Sequence, residues 1–239
     1  MNNKWHQIWN KKGLDKLDLS REEFDVFCDL KRANGYDVNV HNEAEYFRNF
    51  YREWMEMYNR MTEIVKDGIN SIYEVGCGSG VNLYLFKNRI PGVAVGGIDY
   101  SEGLVKLARD VTGCRDIICG SAENMDIDTR YDLVMAGAVF QYFDSLDYAE
   151  NVLGKMLQKS EKMVYISELH DLELQEDWLA HRRGSMENYD QIYDGLGKMF
   201  YSREWISNIA KRHGKQVVFS KRNNPEYWNS KYEFNCFIF

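Results

Sequence analysis

The stretch Ser71-Ile72-Tyr73-Glu74-Val75-Gly76-Cys77-Gly78-Ser79-Gly80 constrains the fold more than any other part of the chain. A short apolar run that reads as a buried strand ends in three glycines at alternate positions, and a helical stretch over residues 82–87 follows. A strand turning sharply into a helix needs residues without a Cβ. The turn also leaves amide groups at the helix amino terminus open to an anion, with the helix dipole reinforcing the attraction. The spacing discriminates between nucleotide sites. A G-x-G-x-x-G dinucleotide turn starting at Gly76 requires glycine where Val81 stands, and one starting at Gly78 requires it where Leu83 stands. A nicotinamide dinucleotide is therefore disfavoured. Asp99, at the end of the next apolar run over residues 93–98, is placed to accept hydrogen bonds from both hydroxyls of a ribose.

Around this turn, apolar runs alternate with helical stretches, the pattern of βα units in a parallel sheet. Strands are expected over residues 71–75, 93–98, 116–119, 131–136 and 163–167, with two more over 216–220 and 232–239. Asn223, Asn224 and Pro225 mark the turn between the last two. A charged helical segment covers 172–183 and a tyrosine-rich linker 187–201; Ser202 then caps a helix that Gly214 ends. Residues 1–68 read as helical, with capping-box pairs at Ser20/Glu23 and Asn42/Glu45. A stripe of Phe47, Phe50, Tyr51, Trp54, Met55, Tyr58, Met61 and Val65 either packs on the core or lids a pocket; the two uses are compatible. The chain thus divides into a helical cap or lid, residues 1–68, and a globular α/β unit, residues 69–239.

The region from Ile72 onward resembles the class I S-adenosylmethionine-dependent methyltransferases, on the strength of the G-x-G-x-G form of Gly76-Cys77-Gly78-Ser79-Gly80, Asp99 and seven strands ending in a close pair. The resemblance implies a Rossmann-like seven-stranded, mostly parallel sheet of order 3-2-1-4-5-7-6, strand 7 antiparallel, with helices on both faces. It implies S-adenosylmethionine as cofactor and S-adenosylhomocysteine as product. Glu74, Gly76, Cys77, Gly78, Gly80, Asp99 and Tyr100 then border the cofactor, as do Ser121, Ala122 and Glu123 of the Gly120 loop and Gly137 and Ala138 after strand four. Ser121 stands where the family often has Asp, which puts the usual side-chain bond to adenine in doubt. Cys77 reads as a small packing residue rather than a reactive thiol.

A sulfonium methyl is already activated, so transfer needs chiefly a positioned, partly desolvated nucleophile. For a hydroxyl acceptor, His170 is the first candidate base and Glu168 the second, since Ser167-Glu168-Leu169-His170-Asp171 falls at the carboxyl end of strand five. The alternative for His170 is an ordinary hydrogen-bonded residue. Arg182 and Arg183 are either an anion grip for the acceptor or cations at a helix carboxyl terminus. With Tyr142, Tyr193 and Tyr201 they are the expected acceptor-binding residues, beside Trp5 and Trp9. A looser whole-chain resemblance to bacterial methyltransferases of surface-polysaccharide and related pathways implies an oxygen acceptor on a sugar or a phosphoryl-type group. A small amine acceptor, or a binding module without turnover, are the competing readings.

Composition narrows the partners. Lys plus Arg number 30 against 37 Asp plus Glu, a net charge of −7, so no nucleic-acid partner is expected. The polar amino terminus and the lack of a bilayer-length apolar run imply a cytoplasmic protein with no membrane partner. Five cysteines without a C-x-x-C pair imply reduced thiols and no metal. A small-molecule acceptor is the expected partner; the oligomeric state is not readable from sequence.

Overall fold

The computed structural model describes residues 4–13, 17–36, 42–222 and 224–239; residues 1–3 and the expected turn residue Asn223 lie outside them. Three helices, α1 (Lys4–Trp9), α2 (Glu23–Asn34) and α3 (Glu43–Ile64), precede the first strand. Then follow β1 (Ser71–Val75), α4 (Val81–Arg89), β2 (Ala94–Asp99), α5 (Glu102–Thr112), β3 (Ile117–Cys119) and β4 (Tyr131–Gly137). The remaining elements are α6 (Leu146–Lys159), β5 (Ser160–His170), α7 (Gln175–Ser185), α8 (Tyr189–Ile192), α9 (Arg203–Arg212), β6 (Val217–Lys221) and β7 (Glu233–Ile238).

The sheet order is β3-β2-β1-β4-β5-β7-β6, parallel from β1 to β5, with β7 antiparallel to both neighbours, as the resemblance implies. Both faces are covered, and the two-residue period of each strand sorts its side chains between two cores. Leu133 and Met135 join Ile72 under α2–α5, whereas Val134 and Ala136 join Val75 under α6 and α9. The same alternation puts Glu74 on the Ile72 side, towards α2 and α3. Phe47, Phe50, Trp54 and Met61 of α3 are buried in the core that holds Leu85 and Phe86 of α4.

Side-chain caps start the helices where polar residues stand before them. Asn42, Ser145 and Ser202 accept the amides of Glu45, Tyr148 and Trp205 at 3.2, 3.1 and 3.0 Å. Ser20 does not cap α2. Its amide and hydroxyl both donate to Asp18, and the helix starts at Glu23 behind Glu22 without a side-chain cap. Strand β5 runs past its expected end, because β7 continues to pair with Leu169 and His170. Between Ile166 and Leu169 it carries a bulge, in which Ser167 and Glu168 together oppose Asn235 of β7 and Glu168 adopts φ +61°. Among the described residues no helix is long and apolar enough to cross a membrane.

Candidate cofactor and acceptor site

The glycine turn after β1 is built as a tight backbone loop. Gly76 and Gly78 lie at φ +67° and +52°, where a side chain is strained. A Cβ on Gly76 would stand 2.3 Å from Val139 Cγ2, and one on Gly78 would stand 2.6 Å from Asn34 Oδ1. Asp99 accepts the Gly78 amide through Oδ2 at 2.9 Å and the Ser101 amide through Oδ1 at 2.8 Å. Asn34, on α2, accepts the Ser79 amide at 2.7 Å. Gly80 has a different task from the one expected: it precedes α4 and abuts Ala108 of α5, and it is not among the residues that line the cavity below. Cys77 is buried against Gly97, and burial holds its thiol far from ionisation.

Glu74 is buried beside this turn. Asn82 donates to its Oε1 at 2.5 Å, while Oε2 has no hydrogen-bond partner among the described residues. Burial, with the Asp99 charge adding, pushes its carboxyl up to about 8. A buried carboxyl with an unsatisfied oxygen fits a ligand that brings a donor, and an ammonium group fits best.

Turn and acids open into one cavity of about 640 Å³. Of the expected residues it brings together Glu74, Gly76, Cys77, Gly78, Asp99, Tyr100, Ser121, Ala122, Glu123, Gly137, Ala138, Tyr142 and Glu168. Ser121 Oγ lies 2.8 Å from the Tyr148 hydroxyl, a polar pair where the family often has Asp. The set fits a ribonucleoside carrying an amino-acid arm: Asp99 would face the ribose and Glu74 the amino group, whereas the amides of Gly76 to Gly80, expected to meet the carboxylate, already donate to Ile98, Asp99, Asn34 and Cys77. Helix α1 adds Ile8 and Trp9 to the wall. The Trp9 carbonyl accepts the Ser101 hydroxyl at 3.2 Å, Trp5 Nε1 donates to the Gly197 carbonyl at 3.2 Å, and both indoles meet the edge or face of Tyr142.

Besides Gly80, the expected residues His170, Arg182, Arg183, Tyr193 and Tyr201 are not on the cavity wall. His170 is 1% exposed and lies off it: Nε2 is 2.9 Å from Asn229 Nδ2 and 3.4 Å from Glu233 Oε1, under Phe200 and Trp178. The β5 bulge keeps His170 and Glu233 on the Tyr165 face of the sheet, but Asn229 and these rings enclose the imidazole there. Tyr201 is wholly buried and donates to the Phe140 carbonyl at 2.7 Å. Arg182 sits among Trp178, Tyr189, Tyr193 and Trp228, with its carbon Cζ 4.9 Å from the Tyr193 ring centre, and so Tyr193 is part of that cluster. Arg183 is exposed and pairs with Asp190 at 3.0 Å.

The end of the cavity beyond Gly137 is lined by residues that no motif marked: Lys31, Glu53, Tyr165, Arg222, Tyr227 and Asn235. The Arg222 guanidinium joins Glu53 at 2.8 Å, Glu168 at 3.3 Å and Glu233. Burial raises the Glu168 carboxyl, Arg222 opposes that rise, and Glu233 is held low by Arg222 and by His170. Glu53 had one sequence signal. It interrupts the apolar stripe of α3 on the face of Phe50, Trp54 and Met57.

Comparison with known proteins places this geometry. Residues 72–159 match a family model described as a methyltransferase domain. The malonyl-[acyl-carrier protein] O-methyltransferase of Priestia megaterium is 29% identical over 164 residues, 65% of this chain and 56% of that protein. Its counterpart in Bacillus cereus is 22% identical over 211 residues, 85% of this chain and 76% of that protein. The chain spans 56% of the length of the Priestia megaterium relative and 61% of that of a malonyl-[acyl-carrier protein] O-methyltransferase from Bacillus anthracis. Among solved structures, magnesium protoporphyrin IX methyltransferase from Synechocystis with bound SAH superposes with a TM-score of 0.61 at 14% identity, over 85% of this chain and 89% of that one. The amino pentose methyltransferase CalS10 from Micromonospora echinaspora gives 0.59 at 12% identity, over 85% of this chain and 99% of that one. The chain has the seven-stranded Rossmann-like fold of the class I methyltransferases, and its residues 72–159 are the part that matches their domain model.

Proposed function

We propose that this protein transfers a methyl group from S-adenosylmethionine to an oxygen of a small polar molecule, with a sugar of a bacterial surface glycan as one such acceptor. One observation carries the reading. A buried Glu74 with an unsatisfied oxygen stands between the glycine turn and an Asp99 already fixed by two amides. Asp99 holds the ribose, Glu74 the amino group, and Ser121, Ala122 and Glu123 border the adenine. S-adenosylmethionine supplies an activated methyl group. The chain supplies position, exclusion of water by α1 and Tyr142, and a proton acceptor, Glu168, on the cavity wall.

Support comes from the methyltransferase-domain match, from relatives named as O-methyltransferases and from a structural neighbour named for an amino pentose. A cytoplasmic location and a helical cap formed by residues 1–68 go with this reading. Calorimetry with S-adenosylhomocysteine and with NAD tests it. Heat with the former and none with the latter is expected; no binding of S-adenosylhomocysteine sinks it.

A further inference from the structure

The cavity beyond Gly137 has a composition that restricts the acceptor, and the argument rests on the methyl-transfer reading above. Glu168 occupies the left-handed region at φ +61°, a conformation that costs a residue other than glycine on the order of 1–3 kcal/mol. The β5 bulge and the Asn235 side chain hold it there, Asn235 Oδ1 accepting the Glu168 amide at 3.1 Å. The result is a carboxylate on the wall of the acceptor chamber, 85% of its side chain covered.

Arg222 does not offer a grip for an acidic acceptor. Its Nη1 serves Glu233 and Glu168 and its Nη2 serves Glu53, so the guanidinium is shared among three carboxylates. Lys31 also lines this end, its ammonium 4.2 Å from the Phe50 ring centre, and Lys198 lies behind it over the Tyr142 ring within reach of the Glu168 and Glu233 charges. The one guanidinium in contact with Glu168 is thus already shared before any acceptor enters. A carboxylate brought against Glu168 would place like charges together in a site of low dielectric, and it would have no proton for Glu168 to take. A hydroxyl has the opposite requirements. It enters neutral and must lose a proton.

The walls fit a flat body. Tyr46, Phe50 and Tyr227 form a ring cluster with centre-to-centre distances of 4.8 to 5.9 Å, and all three line the cavity. Lys31 and Arg222 already lie over Phe50, and Arg222 over Tyr227, so the three rings offer an acceptor an apolar wall to pack against. We infer that the acceptor is an uncharged hydroxyl carried on a ring, packed against Tyr46, Phe50 and Tyr227 with Glu168 taking its proton, and that carboxylates are rejected. In the transfer, an oxygen lone pair forms the bond to the methyl carbon. The carbon–sulfur bond breaks with its electrons remaining on sulfur, and the hydroxyl proton passes to the Glu168 carboxylate.

The test measures S-adenosylhomocysteine release with four probes: catechol, methyl β-glucoside, benzoate and a malonyl-pantetheine thioester. Release with catechol or with the glucoside is expected, and which of the two responds separates an aromatic from a sugar ring. Glu168→Gln should lower that release by about 10²-fold and leave S-adenosylhomocysteine affinity unchanged. Release from the two carboxylates at an equal or higher rate overturns the inference. So does a Glu168→Gln rate equal to the parent's, or an S-adenosylhomocysteine-binding protein that turns over neither ring hydroxyl. Failure to bind S-adenosylhomocysteine is a separate result and removes the methyl-transfer reading itself.

Discussion

The Asp99 carboxylate accepts the amide of Gly78 at 2.9 Å, so the acid at the end of β2 and the glycine turn after β1 form one preassembled unit. A ligand's hydroxyls meet a carboxylate whose direction is already set, and little ordering remains to be done on binding. Asp99→Ala is expected to weaken S-adenosylhomocysteine binding by about 10–100-fold, the loss of one or two hydrogen bonds to a charged group. Calorimetry checks this; unchanged affinity would mean that the ribose is held elsewhere.

On the proposed reading, Glu74 should make cofactor binding a proton-coupled event. Its carboxyl, at about 8 in the free protein, is mostly protonated at pH 7. An ammonium beside it favours the ionised form, so binding should release close to ~1 proton at pH 7 and progressively less above pH 8. Calorimetry in two buffers of different ionisation enthalpy reads the proton count. The release should vanish in Glu74→Gln, and an identical release in that variant would assign the proton to another group.

Arg222 and Arg183 should behave in opposite ways. Arg222→Met leaves Glu53, Glu168 and Glu233 buried without their shared cation, which costs about 3–5 kcal/mol of folding stability. Arg183 pairs with Asp190 on the surface, and Arg183→Ala should leave the unfolding midpoint where it is. Denaturant titration of both variants is the check, and equal midpoints would count against the buried cluster.

Tyr201 has a structural task. Tyr201→Phe removes the donor to the Phe140 carbonyl and should cost about 1 kcal/mol of stability, with S-adenosylhomocysteine affinity unchanged. A large change in turnover with intact stability would instead restore Tyr201 to the acceptor site.

The sheet and the cofactor half were legible because their signals are local. The glycine turn, Asp99 and the Gly120 loop lie at short separations, and β4 shows in the sequence as an apolar run, Leu133 to Ala136, that is buried on both faces. The acceptor half was not. A strand's period predicts which face a residue occupies only if no residue is inserted, and the β5 bulge puts Glu168 on the cavity wall while His170 packs against Asn229. Arg222 and Glu53 are 169 positions apart, and nothing in either neighbourhood announces that they meet. Arg182 reads from sequence as an anion grip, yet its charge is spent among aromatic rings that surround it only after α7 and α8 fold together.

The tie between Glu53 and Arg222 also has a consequence for the order in which the protein matures on the ribosome. The glycine turn, Asp99 and the loop after β4 are all synthesised well before Arg222, and domains fold as units while the chain emerges. The sheet is therefore incomplete until β7, which lies between β5 and β6, has been made. The wall that recognises an acceptor closes only when the β6–β7 hairpin brings Arg222 back to α3.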